Sequence, residues 1–228
     1  AVDGLDLSIA TGEIVGLLGP NGAGKTTTMR MLTCTLPPSA GSAKVAGFDV
    51  ATESLEVRRR IGFMPEHVPL YTDMTVLSLL RYVAELKGVS RSGLDDHLDG
   101  IIQRTGLTEM TGRRVGHLSK GFRQRTGLAQ ALVGDPEVLI LDEPAAGLDP
   151  HQIVEIRELI RGFSGSRTVL LSSHILGEVE KVCDRVMILD RGRLVSADEL
   201  ERLRSDGGLE AAFLRLTGGM PQTGGEES

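Results

Sequence analysis

An α/β fold built on a mainly parallel sheet is predicted by three observations in the sequence. Short apolar runs rich in Val, Ile and Leu recur at Ile14–Leu18, Val138–Leu141, Thr168–Leu171 and Val186–Leu189, the pattern of strands buried on both faces. Each of the first three ends in a polar or Gly-rich turn and leads into a helical pattern, which places ligand chemistry at the carboxyl ends of the strands. Between Glu66 and Gly134 the apolar spacing is helical instead, so a helical lobe is inserted into the α/β core.

In chain order, the first strand enters a Gly-rich loop and then a helix. Ser42 to Val50, with a turn at Gly47, reads as an antiparallel strand pair, a small β subdomain. The run Arg58, Arg59, Arg60 reads as a solvated helix face. Thr75 opens a helix whose apolar residues Leu79, Leu80, Val83 and Leu86 keep a helical period, ending near Gly88. Further helices are expected over Leu94–Thr105 and Phe122–Val133, giving a lobe of about residues 67–134. Asp190-Arg191-Gly192-Arg193 marks a late hairpin turn. Residues 1–216 then form one domain, and the Gly-rich, polar stretch 217–228 reads as a disordered tail.

A chain of 228 residues suffices for one substantial core. Aromatic residues make up only 3% and Trp is absent, which disfavours base stacking; the net charge of −6 disfavours a nucleic-acid surface. Cys34 and Cys183 form neither a metal spacing nor a disulfide framework, which fits a reducing compartment. No apolar run approaches the roughly 20 residues that span a bilayer, and no signal peptide opens the chain. The expectation is a soluble protein that works at a membrane only by docking on a partner that crosses it.

Gly19-Pro20-Asn21-Gly22-Ala23-Gly24-Lys25-Thr26, followed by Thr27, fits G-x-x-x-x-G-K-[ST] between a strand and a helix. Its glycines let the backbone curl so that successive N–H groups face phosphates, and the helix N-terminus adds partial positive charge. Lys25 is placed to reach the outer phosphates and Thr26 to ligate Mg²⁺. A ligand-free Gly-rich turn is the bland alternative, and the strand–loop–helix context argues against it. The run Val138-Leu139-Ile140-Leu141-Asp142-Glu143-Pro144 ends a strand in two carboxylates. Asp142 suits Mg²⁺, usually through its water shell, and Glu143 suits polarising an attacking water. Alone, this pair reads equally well as a solvated acidic turn.

Five ordered motifs give the chain a resemblance to ATP-binding cassette (ABC) proteins. Leu118-Ser119-Lys120-Gly121-Phe122-Arg123-Gln124-Arg125 resembles the family's signature sequence, with Ser119 standing 23 residues before Asp142. Ala146-Gly147-Leu148-Asp149-Pro150 resembles the D-loop, His174 the switch histidine, and Ile61-Gly62-Phe63-Met64-Pro65-Glu66 the segment carrying the Q-loop. With the phosphate loop, these occur in family order over roughly residues 1–200. The resemblance implies a P-loop NTPase fold of the ABC ATPase type: a mainly parallel sheet, an antiparallel β subdomain and an inserted α-helical lobe.

It also implies that two cassettes pair head to tail, as a homodimer or with a second ATPase subunit. ATP is then trapped between one phosphate loop and the other chain's signature segment, where Ser119 and the backbone at Gly121 meet the γ-phosphate. Gly121 is expected where a side chain would block that approach. His174 would contact the γ-phosphate in its own subunit and orient Glu143, and Asp149 would cross the interface. Three departures stand out. Glu66 occupies the position of a Gln and is a further Mg²⁺ ligand candidate; the signature reads LSKGF in place of LSGGQ; and no aromatic precedes Phe48, where the family carries an adenine-stacking ring. The first two resemble the branch whose permease is a separate transmembrane polypeptide of the ABC-2 type, which implies an exporter ATPase at the inner face of the cell membrane. There the helical lobe and the Glu66 loop would contact the membrane partner. The other classes are a soluble cassette ATPase acting on ribosome or DNA, and a non-hydrolysing regulatory cassette. The acidic charge and the lack of tandem cassettes or coiled coils argue against the former, and Glu143 with His174 against the latter.

Overall fold

The computed structural model describes residues 2–205 and 207–218. Most of the stretch read as a disordered tail, residues 219–228, lies outside the described residues. The elements run β1 (Ile14–Leu18), α1 (Lys25–Leu32), β2 (Lys44–Val45), β3 (Phe48–Asp49), α2 (Ser54–Arg60), β4 (Ile61–Met64), α3 (Val76–Leu86) and α4 (Leu94–Arg104). Two short 3₁₀ turns, Thr108–Met110 and Val115–His117, precede α5 (Lys120–Leu132), β5 (Val138–Leu141) and α6 (Pro150–Arg161). The chain continues with β6 (Thr168–Ser172), α7 (Leu176–Val182), β7 (Arg185–Asp190), β8 (Arg193–Glu199), α8 (Leu200–Ser205) and α9 (Gly208–Leu216).

Six strands form one sheet in the order β4-β5-β6-β1-β7-β8. β4 through β7 are parallel to their neighbours, with Ile14 opposite Val169 and Gly16 opposite Val186, and only β8 runs antiparallel. Parallel pairing puts the carboxyl ends of β1, β4, β5 and β6 on one edge, where the site is built. The apolar runs are continuous because the sheet is covered on both faces. Ile14, Leu18, Leu139, Leu141, Val169 and Ile188 pack towards the larger cluster under α5, α6 and α7. Val15, Leu17, Ile140, Leu170 and Met187 face the other way with Met29 of α1.

Turn chemistry fixes both hairpins. Ala46 and Gly47 take φ 50° and 85° between β2 and β3, and Arg191 and Gly192 take 49° and 85° between β7 and β8. Two consecutive left-handed residues are what a two-residue hairpin needs.

The sequence reading missed β4 as a sheet strand, because Gly62 interrupts its apolar run. A Cβ at Gly62 would run into the backbone carbonyl of Ala131, so the glycine lets α5 lie directly on β4. The arginine run is only partly a solvated face. Arg60 lies with its guanidinium 4.0 Å over the Phe48 ring and pairs with Glu56, while Arg58 and Arg59 are exposed. In the lobe, Thr75 caps α3 by accepting from the Ser78 amide at 3.2 Å. The outer helices α3 and α4 pack through Leu79, Leu80, Leu98 and Ile101, all buried, against α5.

Candidate functional site

The loop between β1 and α1 is shaped by three glycines with positive φ, of which Gly19 and Gly24 are the demanding ones. Gly19 takes φ 153° and Gly24 φ 109°. A Cβ at Gly19 would collide with the Leu189 carbonyl and lie 2.9 Å from the Ala23 side chain. Ala23 donates its amide to Pro20 at 3.1 Å and accepts from the Gly192 amide at 2.9 Å, which ties the loop to the β7–β8 turn. The amides of Gly22, Gly24, Lys25 and Thr26 have no acceptor among the described residues. Gly24 is buried with its N–H unpaired among the described residues, a donor that a bound anion would satisfy. Lys25 closes the curl by donating from Nζ to the carbonyls of Gly19 at 2.6 Å and Pro20 at 3.3 Å.

Opposite this loop, Asp142 sits buried at the end of β5, its amide held by the Met64 carbonyl at 2.8 Å. Its Oδ2 accepts from Thr26 Oγ1 at 3.3 Å, and its Oδ1 accepts from Ser172 Oγ at 2.6 Å. A hydroxyl and a carboxylate of this kind form a hard oxygen set suited to Mg²⁺. Ser172 was not singled out from sequence, although it stands two residues before His174. It is fully buried at the end of β6 and also accepts from the Glu143 amide at 2.9 Å. A polar residue closing an otherwise apolar strand was the available signal.

That bond holds Glu143 at φ 51°, a left-handed conformation rare outside glycine. The turn swings its carboxylate to His174, whose Nδ1 lies 2.7 Å from Oε2 and whose amide also approaches it at 3.4 Å. An ionised carboxylate only accepts, so Nδ1 carries the hydrogen and Nε2 is left to other partners. The His174 side chain is 66% exposed and that of Glu143 14%, so the pair has a dry end and an open end.

The remaining predicted residues stand apart. Asn21 is exposed at the loop tip and Thr27 is half-buried in the first turn of α1. Ser119 caps α5 by accepting from the Phe122 amide at 3.4 Å, and Asp149 caps α6 by accepting from the amides of His151 and Gln152 at 3.0 Å. Such caps contribute about 1 kcal/mol each. No hydrogen bond among the described residues joins Ser119 or Gly121 to residues 19–27. Gly121 has a reason within its own chain: a Cβ there would lie 2.6 Å from the Gln152 carboxamide. Lys120 likewise lies against Gly147 of its own chain. Glu66 is exposed just past β4, and no acidic, His or Cys residues gather there in a group able to hold a metal among the described residues.

Residues 2–146 match the family described as ABC transporter. Among curated relatives, the ABC transporter ATP-binding protein NatA of Bacillus subtilis (strain 168) is 40% identical over 205 residues, covering 89% of this chain and 83% of that protein. The bacitracin transport ATP-binding protein BcrA of Bacillus licheniformis is 38% identical over 206 residues, covering 90% of this chain and 66% of its own length. A solved structure described as the ATP-binding subunit of an ABC transporter superposes with a TM-score of 0.85 at 29% identity, covering 94% of this chain and 92% of that one. Among the described residues, no helix is long and apolar enough to cross a membrane.

Proposed function

The chain belongs to the ABC transporter family as an ATP-binding, ATP-hydrolysing subunit, and on that premise we propose that it powers export through a separate ABC-2-type transmembrane permease at the inner face of the cell membrane. The observation that carries the reading is the hydrogen-bonded chain Thr26–Asp142–Ser172–Glu143–His174, which joins the first turn of α1 to the ends of β5 and β6 beside the loop whose amides lack acceptors among the described residues. The names of both curated relatives point to transport, and that of BcrA to bacitracin. Neither name points to ribosome or DNA. Residues 1–216 serve as the ATPase domain, with the helical lobe at about 67–134.

In this reading the amides of Gly22, Gly24, Lys25 and Thr26 bind the phosphates of ATP, and Gly19, Pro20, Asn21, Ala23 and Thr27 shape or flank their loop. Lys25 exchanges its loop carbonyls for the outer phosphate oxygens. Thr26 and Asp142 would hold Mg²⁺, with Glu66 a further candidate ligand. Bound Mg²⁺ supplies neutralisation of the charge that develops on the phosphates. Glu143 orients the attacking water and takes its proton; His174 holds that carboxylate in place from Nδ1 and turns Nε2 towards the γ-phosphate. Catalysis is then mostly positioning in a partly dry site.

Ser119 and Gly121 at the N-terminus of α5 suit a γ-phosphate presented by a second chain. Two chains, identical or paired with a second ATPase subunit, bring Ser119 and the backbone at Gly121 of one to the γ-phosphate held by the other, with Asp149 crossing between them. ATP favours the closed pair because it bridges both halves, and hydrolysis removes the bridge. Sedimentation of Glu143→Gln with and without ATP tests this. An ATP-dependent shift from monomer to dimer is expected. A variant that binds ATP and stays monomeric overturns self-pairing for this chain.

A further inference from the structure

α9 starts without a side-chain cap of its own. Gly207 and Gly208 at its start are bare and left-handed, with φ 97° and 91°. The cap comes from α7 instead: Glu180 Oε1 accepts from the Leu209 amide at 3.1 Å. A carboxylate there satisfies an open donor and complements the helix dipole. The Glu180 carbonyl also accepts from the Arg204 guanidinium of α8 at 2.6 Å. One residue of α7 thus holds both helices of the α8–α9 hairpin. Beneath it, Val179 and Val182 share a buried cluster with Leu203, Leu209 and Ala212.

The other side of α7 is held by α6. Arg157 Nη1 lies 3.2 Å from Glu178 Oε2, both side chains being half-buried, and Arg161 donates to the Lys181 carbonyl at 2.6 Å. Glu178 and Glu180 leave the helix about 200° apart, so α7 is clamped between α6 and the α8–α9 hairpin. It has seven residues, too few to be stable by its own hydrogen bonds, and its neighbours set where it lies. It begins two residues after His174, and the amides of Glu178 and Val179 donate to the Ile175 carbonyl at 3.0 and 3.3 Å. Among the described residues, the exposed His174 ring has one hydrogen-bonding contact, to Glu143 at 2.7 Å, so its reach depends on where its backbone is held. We propose that Glu180 is a positioning residue for hydrolysis: by capping α9 it fixes the α8–α9 hairpin onto α7, and so fixes the backbone from which His174 reaches Glu143. This role rests on the catalytic parts proposed for His174 and Glu143.

The test uses the full chain as parent, Glu180→Ala and Glu180→Gln, with His174→Ala and Glu143→Ala as references. ATP affinity, turnover and the nitrogen NMR signals of the imidazoles are measured, the His174 signal being assigned by its loss in His174→Ala. Glu180→Ala removes the acceptor for the Leu209 amide. Its ATP affinity is expected to stay within about threefold of the parent, while turnover falls about tenfold. Its His174 Nδ1 signal should move towards that of Glu143→Ala, where the ring has lost its carboxylate. The signal of His97, whose ring accepts from the Gly134 amide, should stay in place, which separates a displaced α7 from a loosened fold. Glu180→Gln keeps an acceptor and should return the His174 signal to its parental position and turnover to within about threefold of the parent. Parental turnover in Glu180→Ala overturns the inference, as does reduced turnover with an unmoved His174 signal. So does a His97 signal that moves with that of His174, or a Glu180→Gln no better than Glu180→Ala. If His174→Ala hydrolyses ATP like the parent, the catalytic reading of His174 fails and takes the inference with it. A slow His174→Ala beside a fast Glu180→Ala removes the inference and leaves that reading in place.

Discussion

The Nδ1 of His174 lies 2.7 Å from Oε2 of Glu143, on the open side of a turn that a left-handed Glu143 makes after β5. In the proposed mechanism His174 acts through the carboxylate that it contacts as well as through Nε2. His174→Ala is expected to bind ATP with near-normal affinity and to turn it over about 100-fold more slowly. Glu143→Gln is expected to lose at least as much, because the carboxamide cannot take the proton. Single-turnover hydrolysis alongside equilibrium ATP binding checks both, and unchanged turnover in His174→Ala would demote it to a structural residue.

Ser172 links the two carboxylates, donating to Asp142 Oδ1 at 2.6 Å and accepting from the Glu143 amide at 2.9 Å. Ser172→Ala removes one donor and one acceptor from a fully buried position. The expected loss of folding stability is about 1–3 kcal/mol, and turnover should fall with ATP affinity less affected, since the amide that sets the Glu143 turn loses its acceptor. Urea unfolding and steady-state kinetics on the same preparation separate the two effects. A variant that loses neither stability nor turnover contradicts the linking role.

How far the sequence reaches is visible in these residues. The strands carrying the site are legible because each is a continuous apolar run, and the phosphate loop and Asp142–Glu143 because their spacing follows directly from such runs. β4 is not legible: Gly62 breaks its run, and the cause of that glycine is the Ala131 carbonyl, 69 residues away in sequence. The same holds for Gly127, where a Cβ would meet the Val68 methyls at 2.8 and 2.9 Å. Ser172 went unseen because a serine at a strand end looks like any turn residue until both of its partners are in place. The convergence of Thr26, Asp142, Glu143 and His174 needs the strand order β5-β6-β1, which no local pattern specifies.

The trans role proposed for Ser119 is tested by bulk and charge at a position that, among the described residues, caps α5 within its own chain. Ser119→Arg is expected to leave ATP binding by the monomer intact while abolishing ATP-dependent pairing in the Glu143→Gln background. Loss of the cap alone weakens α5 by about 1 kcal/mol, which Ser119→Ala reports as a control. Loss of monomer binding in Ser119→Arg would contradict the assignment.

Lys87 gives the fold a defined pH response. Its Nζ donates to the Ile61 carbonyl at 3.1 Å and the Val133 carbonyl at 2.8 Å, where the end of α3 meets β4 and α5. Burial pushes its pKa down from 10.5 to about 8. Below about pH 8 both the folded and the unfolded chain hold the proton, and the folded state carries the full desolvation penalty of the ammonium. Between about 8 and 10.5 the folded chain has released the proton while the unfolded chain keeps it, so this group makes stability rise with pH across that window. The full rise corresponds to on the order of 3 kcal/mol. Lys87→Met retains the apolar stem without the titrating group and leaves two carbonyls without their donor. The variant should therefore be less stable than the parent at pH 9.5 and should lack the parent's extra upward slope between pH 8 and 10. Urea midpoints measured in parallel at pH 7.5, 8.5 and 9.5 decide it, since every other titrating group is common to both proteins. Parallel profiles would mean that Lys87 keeps its ordinary proton affinity despite its burial.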